Sequence, residues 1–269
     1  MRVATWNVNS LKARLPRVEE WLGYANVDVL CLQETKLSDA AFPAMAFEAI
    51  GYSSVHFGQG QWNGVAILSR VGIENVHDGF ALGVAGSGPV DDYVAGVLGE
   101  ARVITAECGG VAITSVYVPN GRSIDDPHFG AKLEWLLRLK EHYSCISSPQ
   151  RPVLLCGDFN IAPDDRDVWD PRKFKDSTHV TPAERARLRE LEAWGFTDLF
   201  RAKYEQDRLY TYWDYRAGDF HQHRGMRIDL MYGTAPIVER LQWAFVDRNA
   251  RKGKLPSDHT PVIVDFNWP

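Results

Sequence analysis

The sequence has few of the features that stabilise small secreted proteins or anchor a chain in a membrane. Its 269 residues include four cysteines, and none of these forms a CxxC pair. Cys31, Cys108 and Cys156 lie in or beside apolar runs, where a free cysteine behaves as a small hydrophobic residue, so we expect buried thiols and a reducing compartment. No apolar run is long enough to span a membrane, and Met1 leads directly into a predicted strand without a signal peptide. We therefore expect a cytoplasmic protein.

The chain also lacks the basic excess that is typical of nucleic-acid-binding proteins. Its formal net charge is −5 at pH 7, which taken alone argues weakly against a nucleic-acid partner. A metal site needs clustered carboxylates, however, and these lower the net charge even where basic residues surround the site. The overall charge therefore excludes little.

No Pro/Ser-rich linker or low-complexity tract divides the chain. The glycine-containing stretch 79–99 predicts a long loop rather than a domain boundary. Polar residues of interest come from both ends of the sequence, and if they share one site, the two halves must pack face to face. We therefore expect one domain over residues 1–269.

Six apolar runs share one pattern, because each carries a polar residue or lies next to a polar cluster. They are Val3–Trp6, Val27–Leu32, Val111–Val118, Val153–Cys156, Ile228–Tyr232 and Val262–Phe266. Continuous apolar runs of this length are typical of strands that are buried on both faces. Polar residues at strand ends are where α/β folds place their sites.

Three segments between the strands have helical patterns. Apolar residues in the segment 129–137 follow the spacing of one helix face. Thr181 and Glu184 form a capping box at the start of a second predicted helix. A third helix is predicted over residues 39–50, with Ser38 as its cap.

The polar clusters at the predicted strand ends carry the chemistry. Asp158 and Asn160 follow one buried run, and a carboxylate and an amide there can bind a metal, accept a proton or orient water. Asp258 and His259 precede the last strand, where a histidine beside a carboxylate can be kept protonated to meet phosphate. Glu34 ends another buried run and suits Mg²⁺. Each cluster alone has an ordinary structural explanation, but together they indicate one metal-dependent site.

Eight short motifs extend this pattern along nearly the whole chain. In order they are Trp6–Arg14, Leu32–Lys36, Asn63–Arg70, Tyr117–Gly121, Gly157–Asn160, Trp213–Arg216, Arg227–Leu230 and Ser257–Val262. Taken together, they resemble the exonuclease III family of AP endonucleases, within the wider endonuclease/exonuclease/phosphatase superfamily. The resemblance implies a four-layer α/β sandwich, in which two mixed β-sheets pack face to face with helices outside and a site at one edge.

The resemblance also implies a bound Mg²⁺ ion, with Mn²⁺ as an alternative. Asn7 and Glu34 match ligands of the main metal site, and Asp258 matches a third contributor nearby. Asn9 stands where some relatives carry aspartate, so a second ligand set would lack a charge. We therefore expect one ion rather than two.

The catalytic roles follow from the same matches. Asp158 would activate or position the attacking water, and Asn160 would hold that water or the phosphate. Tyr117 would contact the scissile phosphate. His259 would contact a non-bridging phosphate oxygen, with Asp229 as the carboxylate that orients its ring.

Four residues are expected to bind the substrate. Trp213 matches a tryptophan that helps form a hydrophobic pocket for a base-free sugar, and Leu230 and Arg216 belong to neighbouring motifs. Arg122 follows the Tyr117 motif and is a candidate for DNA contact. Ten further basic residues are candidates for contact with the DNA backbone, although each alone is an ordinary surface charge. They are Arg172, Lys173, Lys175, Arg185, Arg187, Arg189, Arg248, Arg251, Lys252 and Lys254.

The expected activity is hydrolysis of duplex DNA by a monomer, 5′ to abasic sites and at recessed or blocked 3′ ends. One alternative is a phosphoesterase of the same superfamily that acts on small lipid or inositol phosphates. It would keep the metal and acid/base residues but would not need the segment 213–216. Those residues are Glu34, Asp158, Asn160 and His259. A second alternative is a DNA-binding module without catalysis, and the intact set of metal and acid/base residues argues against it.

Overall fold

Two six-stranded sheets form the centre of the structure, a computed structural model that describes residues 1–81 and 90–269. From edge to edge, and numbered in chain order, the first sheet contains β11 (Leu241–Val246), β12 (Val262–Phe266), β1 (Arg2–Asn7), β2 (Val29–Gln33), β4 (Val65–Ser69) and β3 (Ser53–Phe57). The second contains β5 (Glu74–Asp78), β6 (Val103–Cys108), β7 (Val111–Tyr117), β8 (Val153–Asp158), β10 (Asp229–Gly233) and β9 (Thr197–Asp198). In each sheet one central pair is parallel, β1 with β2 and β7 with β8, and the other neighbours are antiparallel.

Helices cover both outer faces of the two sheets. Those of the described residues are α1 (Leu11–Ala25), α2 (Ala44–Glu48), α3 (Asp92–Leu98), α4 (Pro127–Ile146), α5 (Pro182–Trp194) and α6 (Ala235–Val238). The longest, α4, contains the predicted segment 129–137. The capping box of Thr181 and Glu184 is present at the start of α5, as predicted.

Alternation along the central strands explains why the sandwich has four layers. Successive side chains of a strand point to opposite faces of its sheet. Val3 and Cys31 therefore join the core between the two sheets, whereas Ala4 and Leu30 pack beneath α1. The second sheet behaves in the same way, and its outer face packs against Trp135 and its neighbours on α4 and α5. The predicted architecture of two mixed sheets with helices outside is confirmed.

Two predicted segments differ from the structure. Residues 39–50 do not form one helix, because Phe42 is extended before Pro43, and a proline disfavours the helical conformation of the residue before it. A single 3₁₀ turn precedes that break and α2 follows it, and the Ser38 side chain caps neither. The predicted loop 79–99 contains α3, whose first turn is capped by Asp91. Residues 82–89 of that prediction lie outside the described part of the chain.

The environment of the cysteines agrees with the sequence pattern. Cys31, Cys108 and Cys156 are buried free thiols, and Cys145 is exposed. Among the described residues, no helix combines the length and the apolar character that crossing a bilayer requires.

Candidate active site

The ends of six central strands meet at one edge of the two-sheet stack. In the first sheet β1 and β2 run in parallel toward this edge, and β12, which is antiparallel to β1, begins there. In the second sheet β7 and β8 run in parallel toward it, and β10 begins there. Polar side chains from both sheets therefore converge. At or next to these ends lie Asn7, Glu34, Tyr117, Asp158, Asp229 and His259.

The backbone register places Asp158 at the centre of this group. Asp158 ends β8 and lies opposite Tyr117 on β7 and Asp229 on β10. The residue before it is Gly157, at φ +148°, and a Cβ atom there would lie 1.9 Å from the carbonyl oxygen of Val116. Glycine is therefore required for β7 and β8 to approach each other at the point where the aspartate emerges.

His259 and Asp229 form a buried ion pair. The Nδ1 atom of His259 lies 2.8 Å from Oδ2 of Asp229, and its Nε2 atom lies 3.8 Å from Oδ2 of Asp158. Burial alone would lower the pKa of His259, but the two carboxylates raise it to about 10. His259 is therefore protonated at neutral pH, with Nδ1 donating to Asp229 and the Nε2 N–H on the side of Asp158. The ring of Tyr212 packs against it, with centroids 4.8 Å apart.

Asp158 has a weaker acidity than an exposed aspartate. Burial and the neighbouring Asp229 carboxylate raise the pKa of Asp158 to about 7, against the opposing charge of His259. Its Oδ1 accepts a hydrogen bond from the backbone N–H of Asn160, and its Oδ2 accepts one from Nδ2 of Asn7, both at 2.9 Å. A fixed carboxylate with a pKa near neutrality is suited to exchange a proton with water.

Glu34 extends the acidic group onto the first sheet. Its Oε1 accepts from Nδ2 of Asn7 at 2.8 Å, and its Oε2 lies 2.9 Å from Nζ of Lys36. Burial would raise the pKa of Glu34, but Lys36 and the Asn7 amide outweigh burial and lower it, so the group is ionised. Burial and the Glu34 charge raise the pKa of Tyr117 far above its ordinary value, so the phenol keeps its proton and can donate it in a hydrogen bond.

The side chains at this edge fit a hard divalent cation. Within the described part of the chain, one group of potential metal ligands is found, Glu34, Asp158 and His259, whose ligand atoms lie within 4.8 Å of one another. His259 is protonated and paired with Asp229, so it is a poor ligand. The carboxylates of Glu34 and Asp158 supply the oxygen donors that Mg²⁺ prefers. The Glu34 carboxylate already binds one cationic group, the ammonium of Lys36.

Two of the predicted metal ligands have other contacts. The amide nitrogen of Asn7 faces Glu34 and Asp158, and its oxygen accepts from the backbone N–H of Asn9 at 2.9 Å. In this orientation Asn7 holds the carboxylates in place, and a ligand role requires its oxygen to turn toward Glu34. Asp258 lies outside the group above, because its Oδ1 accepts from Nδ2 of Asn9 at 3.1 Å.

Asn160 belongs to a network of amides behind Asp158. Its Nδ2 donates to the carbonyl of Val118 at 2.9 Å, and its Oδ1 accepts from Nδ2 of Asn120 at 3.2 Å. The residue has a left-handed backbone, with φ 50°, and is 4% exposed. Its side chain is therefore tied to the ends of β7 and β8.

The four predicted substrate-binding residues divide into two pairs. Trp213 has no exposed surface and packs beside Phe220 and Arg248, so it supports its loop instead of lining an open pocket. Leu230 is also fully buried, in the core beneath α4, on the face of β10 opposite to that of Asp229, and its contact with substrate stays a prediction.

The other pair is exposed. The Arg122 side chain is 63% exposed, and the Arg216 side chain is 88% exposed and lies 2.6 Å from Asp214. Of the further basic candidates, Arg251 is buried and donates to the carbonyl of Ser257, so it stabilises the loop before β12 rather than meeting a DNA backbone.

Three residues near the acidic group are not marked by the sequence. Nζ of Lys132 and Nδ1 of His179 both donate to the carbonyl oxygen of Asn160, at 2.7 and 2.6 Å. Tyr212 packs on His259. No motif surrounds Lys132 or His179, whereas Tyr212 lies in the aromatic segment 210–216, directly before the motif that begins at Trp213.

Comparisons with known proteins agree with this geometry. A model of the endonuclease/exonuclease/phosphatase family matches residues 4–259. The chain is 30% identical over 278 residues to exodeoxyribonuclease III of Haemophilus influenzae, covering 99% of this chain and 100% of that protein. It is similar to the structure of an AP endonuclease from Archaeoglobus fulgidus, with 33% identity, a TM-score of 0.92 and full coverage of both chains. It is also similar to the 3′ phosphatase NExo from Neisseria, bound to a product DNA hairpin, with 36% identity, a TM-score of 0.90 and full coverage of both. The chain belongs to the endonuclease/exonuclease/phosphatase family and, within it, to the exonuclease III group of nucleases.

Proposed function

We propose that this chain hydrolyses phosphoester bonds of duplex DNA in a reaction that depends on Mg²⁺ or Mn²⁺. It acts at 3′ ends, where it removes nucleotides and blocking groups, and 5′ to abasic sites. The observation that carries the proposal is the buried triad of Asp158, His259 and Asp229 beside an ionised Glu34. Phosphoester hydrolysis needs an oriented water, a proton acceptor and positive charge near the phosphate, and this edge holds groups of each kind.

Asp158 is proposed to position the attacking water and accept its proton. Its pKa near neutrality fits this role, and hydrogen bonds from Asn7 and from the Asn160 backbone fix its two oxygens. Asn160 would keep the water or a phosphate oxygen beside Asp158. Because the Asn160 side-chain amide is hydrogen-bonded to Val118 and Asn120, its position beside Asp158 is fixed before substrate binds.

The protonated His259 is proposed to donate from Nε2 to a non-bridging phosphate oxygen. Asp229 holds Nδ1 and stabilises the positive charge. Tyr117 remains protonated and would donate to the scissile phosphate. These donors would oppose the negative charge that builds up on the phosphate in the transition state.

Glu34 is the residue that would hold the metal ion, with Asn7 and Asp258 around it. When bound, a divalent cation neutralises charge on the phosphate and on the leaving oxygen. Arg122 and Arg216 are exposed and are proposed to contact the DNA backbone.

One observation favours 3′ ends as the principal substrate over abasic sites. Trp213 and Leu230, the two apolar residues expected at a sugar pocket, have no exposed surface. We therefore rank removal of 3′ phosphates and 3′ nucleotides ahead of abasic incision.

The test uses three labelled duplexes, with a recessed 3′-hydroxyl, a recessed 3′-phosphate or an internal tetrahydrofuran. Each is incubated with the protein in Mg²⁺ and in EDTA, beside Asp158→Asn as the inactive control. We expect Mg²⁺-dependent reaction at both 3′ ends and slower incision at the tetrahydrofuran. Incision as fast as end processing would refute the ranking. Hydrolysis of a small phosphodiester with all three duplexes intact would favour the small-phosphoesterase alternative instead.

A further inference from the structure

A fully buried ion pair lies directly behind the acidic group. Lys132 on α4 and Glu184 on α5 have side chains with no exposed surface, and Nζ lies 2.5 Å from Oε1. Burial of two charges costs free energy that packing of two apolar residues at the same place would avoid. A pair of this kind therefore calls for an explanation other than the joining of two helices.

The ammonium of Lys132 contacts far more than its counter-charge. Nζ donates to the carbonyl oxygen of Asn160 at 2.7 Å and to that of Asn120 at 3.2 Å, and it lies 3.4 Å from Oγ1 of Thr178. Three separate segments thus converge on one nitrogen: the loop after β7, the loop after β8 and the segment before α5. Gly121 leaves room for the lysine stem, because a Cβ atom there would lie 3.1 Å from Cδ of Lys132.

The contact with Asn160 bears on the site itself. Asn160 is held in a left-handed backbone conformation, which costs free energy for a non-glycine residue. Its N–H donates to Oδ1 of Asp158, and its side chain is hydrogen-bonded to Val118 and Asn120. A charged donor on its carbonyl oxygen fixes the peptide plane that follows Asn160. The Asn160 side chain and the preceding peptide, whose N–H donates to Asp158, are joined to that plane at the same Cα atom, so the contact restrains both.

We propose that Lys132 is a positioning residue: its buried ammonium, balanced by Glu184, sets the placement of Asn160 and Asn120 relative to Asp158. Glu184 is suited to balance it because each of its oxygens has further fixed partners. Oε1 also accepts from Oγ1 of Thr178 and Oε2 from the backbone of Thr181, so the carboxylate cannot swing away. Lys132 does not touch the reacting atoms, and its effect passes through the Asn160 peptide.

The test compares Lys132→Met with Leu191→Ala in the full-length protein. Leu191 is fully buried on α5 in the core beneath the same helices, so its truncation destabilises that packing without touching the Asn160 peptide. We expect Lys132→Met to lower kcat on the 3′-phosphate duplex by about 10²-fold, the usual effect of misplacing a group by about 1 Å, with KM within about threefold of the parent value. Leu191→Ala should lower the melting temperature and leave kcat within about threefold.

The kinetic arm rests on the proposed function, so a second readout is independent of it. The side-chain amide resonance of Asn160, assigned by its loss in Asn160→Asp, should shift in Lys132→Met and stay in place in Leu191→Ala. If the parent protein does not act on the duplex, the proposed function fails, and the amide resonance alone decides the positioning role. A parent-like kcat together with an unchanged Asn160 resonance in Lys132→Met would overturn the inference.

Replacing both members of the ion pair with neutral residues tests the inference even if Lys132→Met does not fold. Loss of one partner leaves a buried charge, whereas loss of both removes that cost, so Lys132→Met with Glu184→Gln should melt higher than Lys132→Met alone. The inference requires that this double variant regains stability but not kcat. The charged donor to the Asn160 carbonyl oxygen is still missing, and only the His179 imidazole then donates to that oxygen. Recovery of kcat along with stability would reduce the pair to a structural link between α4 and α5.

Discussion

Asp229→Asn separates the electrostatic role of the Asp229–His259 pair from its structural role. The substitution keeps the shape of the side chain and removes the charge 2.8 Å from Nδ1 of His259. At an effective dielectric constant of about 20, two unit charges at that distance attract each other by about 6 kcal/mol. A shift of one pKa unit corresponds to about 1.4 kcal/mol. The attraction of the Asp229 carboxylate is therefore large enough to account for the whole elevation of the His259 pKa from its ordinary value of 6.5 to about 10.

The expected result is a change in both rate and pH dependence. In Asp229→Asn the pKa of His259 should fall to below about 7, since burial then acts against only the charges of Asp158 and Asp258. At pH 8 the imidazole is neutral, and the Nε2 donor to phosphate is lost. We expect kcat to fall by about 10²- to 10³-fold, as when one preorganised donor is removed from a transition state. The alkaline limb of the rate profile should move from near pH 10 to below pH 7.

The assay is the pH profile of 3′-phosphate removal, together with NMR titration of the His259 ring. Asp198→Asn is the matched control. Like Asp229, Asp198 is a buried aspartate of the second sheet that pairs with a cation, because its Oδ2 lies 2.8 Å from Nη1 of Arg227. That variant should lose stability and keep both the pH profile and the His259 titration. The reasoning is refuted if Asp229→Asn keeps its alkaline limb near pH 10 or if Asp198→Asn shifts it equally.

Further predictions concern the metal, acid stability and DNA contact. Glu34→Gln should abolish Mg²⁺-dependent hydrolysis and weaken Mn²⁺ binding measured by calorimetry, and unchanged cleavage would exclude Glu34 as the ligand. Asp167 is fully buried, and its carboxylate pairs with Arg201 and Arg227. Burial would raise the pKa of Asp167, but the two guanidinium groups lower it. Its stabilisation is therefore present above its unfolded pKa of about 3.9 and is lost as pH falls through the lower folded pKa. Asp167→Asn should therefore lower the free energy of unfolding, measured with urea at pH 7, by about 3 kcal/mol. The difference in stability from the parent protein should vanish below pH 4. Asp165→Asn, at an exposed side chain, should change the free energy of unfolding little. Arg122→Ala should raise KM and reduce the salt dependence of DNA binding, whereas Arg251→Ala should lower the melting temperature; the opposite assignment would contradict the exposures of the two side chains.

The sandwich was predictable because the central strands carry two signals at once. A run such as Val153–Cys156 is apolar at every position, since both faces of its strand are buried, and a polar residue follows where the strand reaches the edge. The capping box of α5 was predictable for a similar reason, because its signal is local. The break at Phe42 and Pro43 was also local, but the segment around it is apolar enough to resemble one continuous helix.

The contacts inside the site were not predictable from spacing along the chain. Asn7 presents its nitrogen to the acidic group because two carboxylates approach from different sheets, which no single segment reveals. Leu230 lies in a motif beside Asp229, yet alternation along β10 sends the two side chains to opposite faces. Lys132 stands in an ordinary helix, and only the packing of α4 over three loops brings its nitrogen to Asn160.

The distribution of charge at the edge explains why the site is ready before DNA arrives. Ionised groups in a protein interior are costly unless each has fixed partners. Three charged groups at or behind this edge have such partners: Glu34 has Asn7 and Lys36, His259 has Asp229, and Lys132 has Glu184. Asp158 also has two fixed amide donors, but these and the charge of His259 do not offset burial among like charges, and its pKa rises to about 7. In the proposed mechanism Asp158, whose ionised form is the least stabilised of these groups, is the one that exchanges a proton, and the ion pairs around it would hold the attacking water and the phosphate in place.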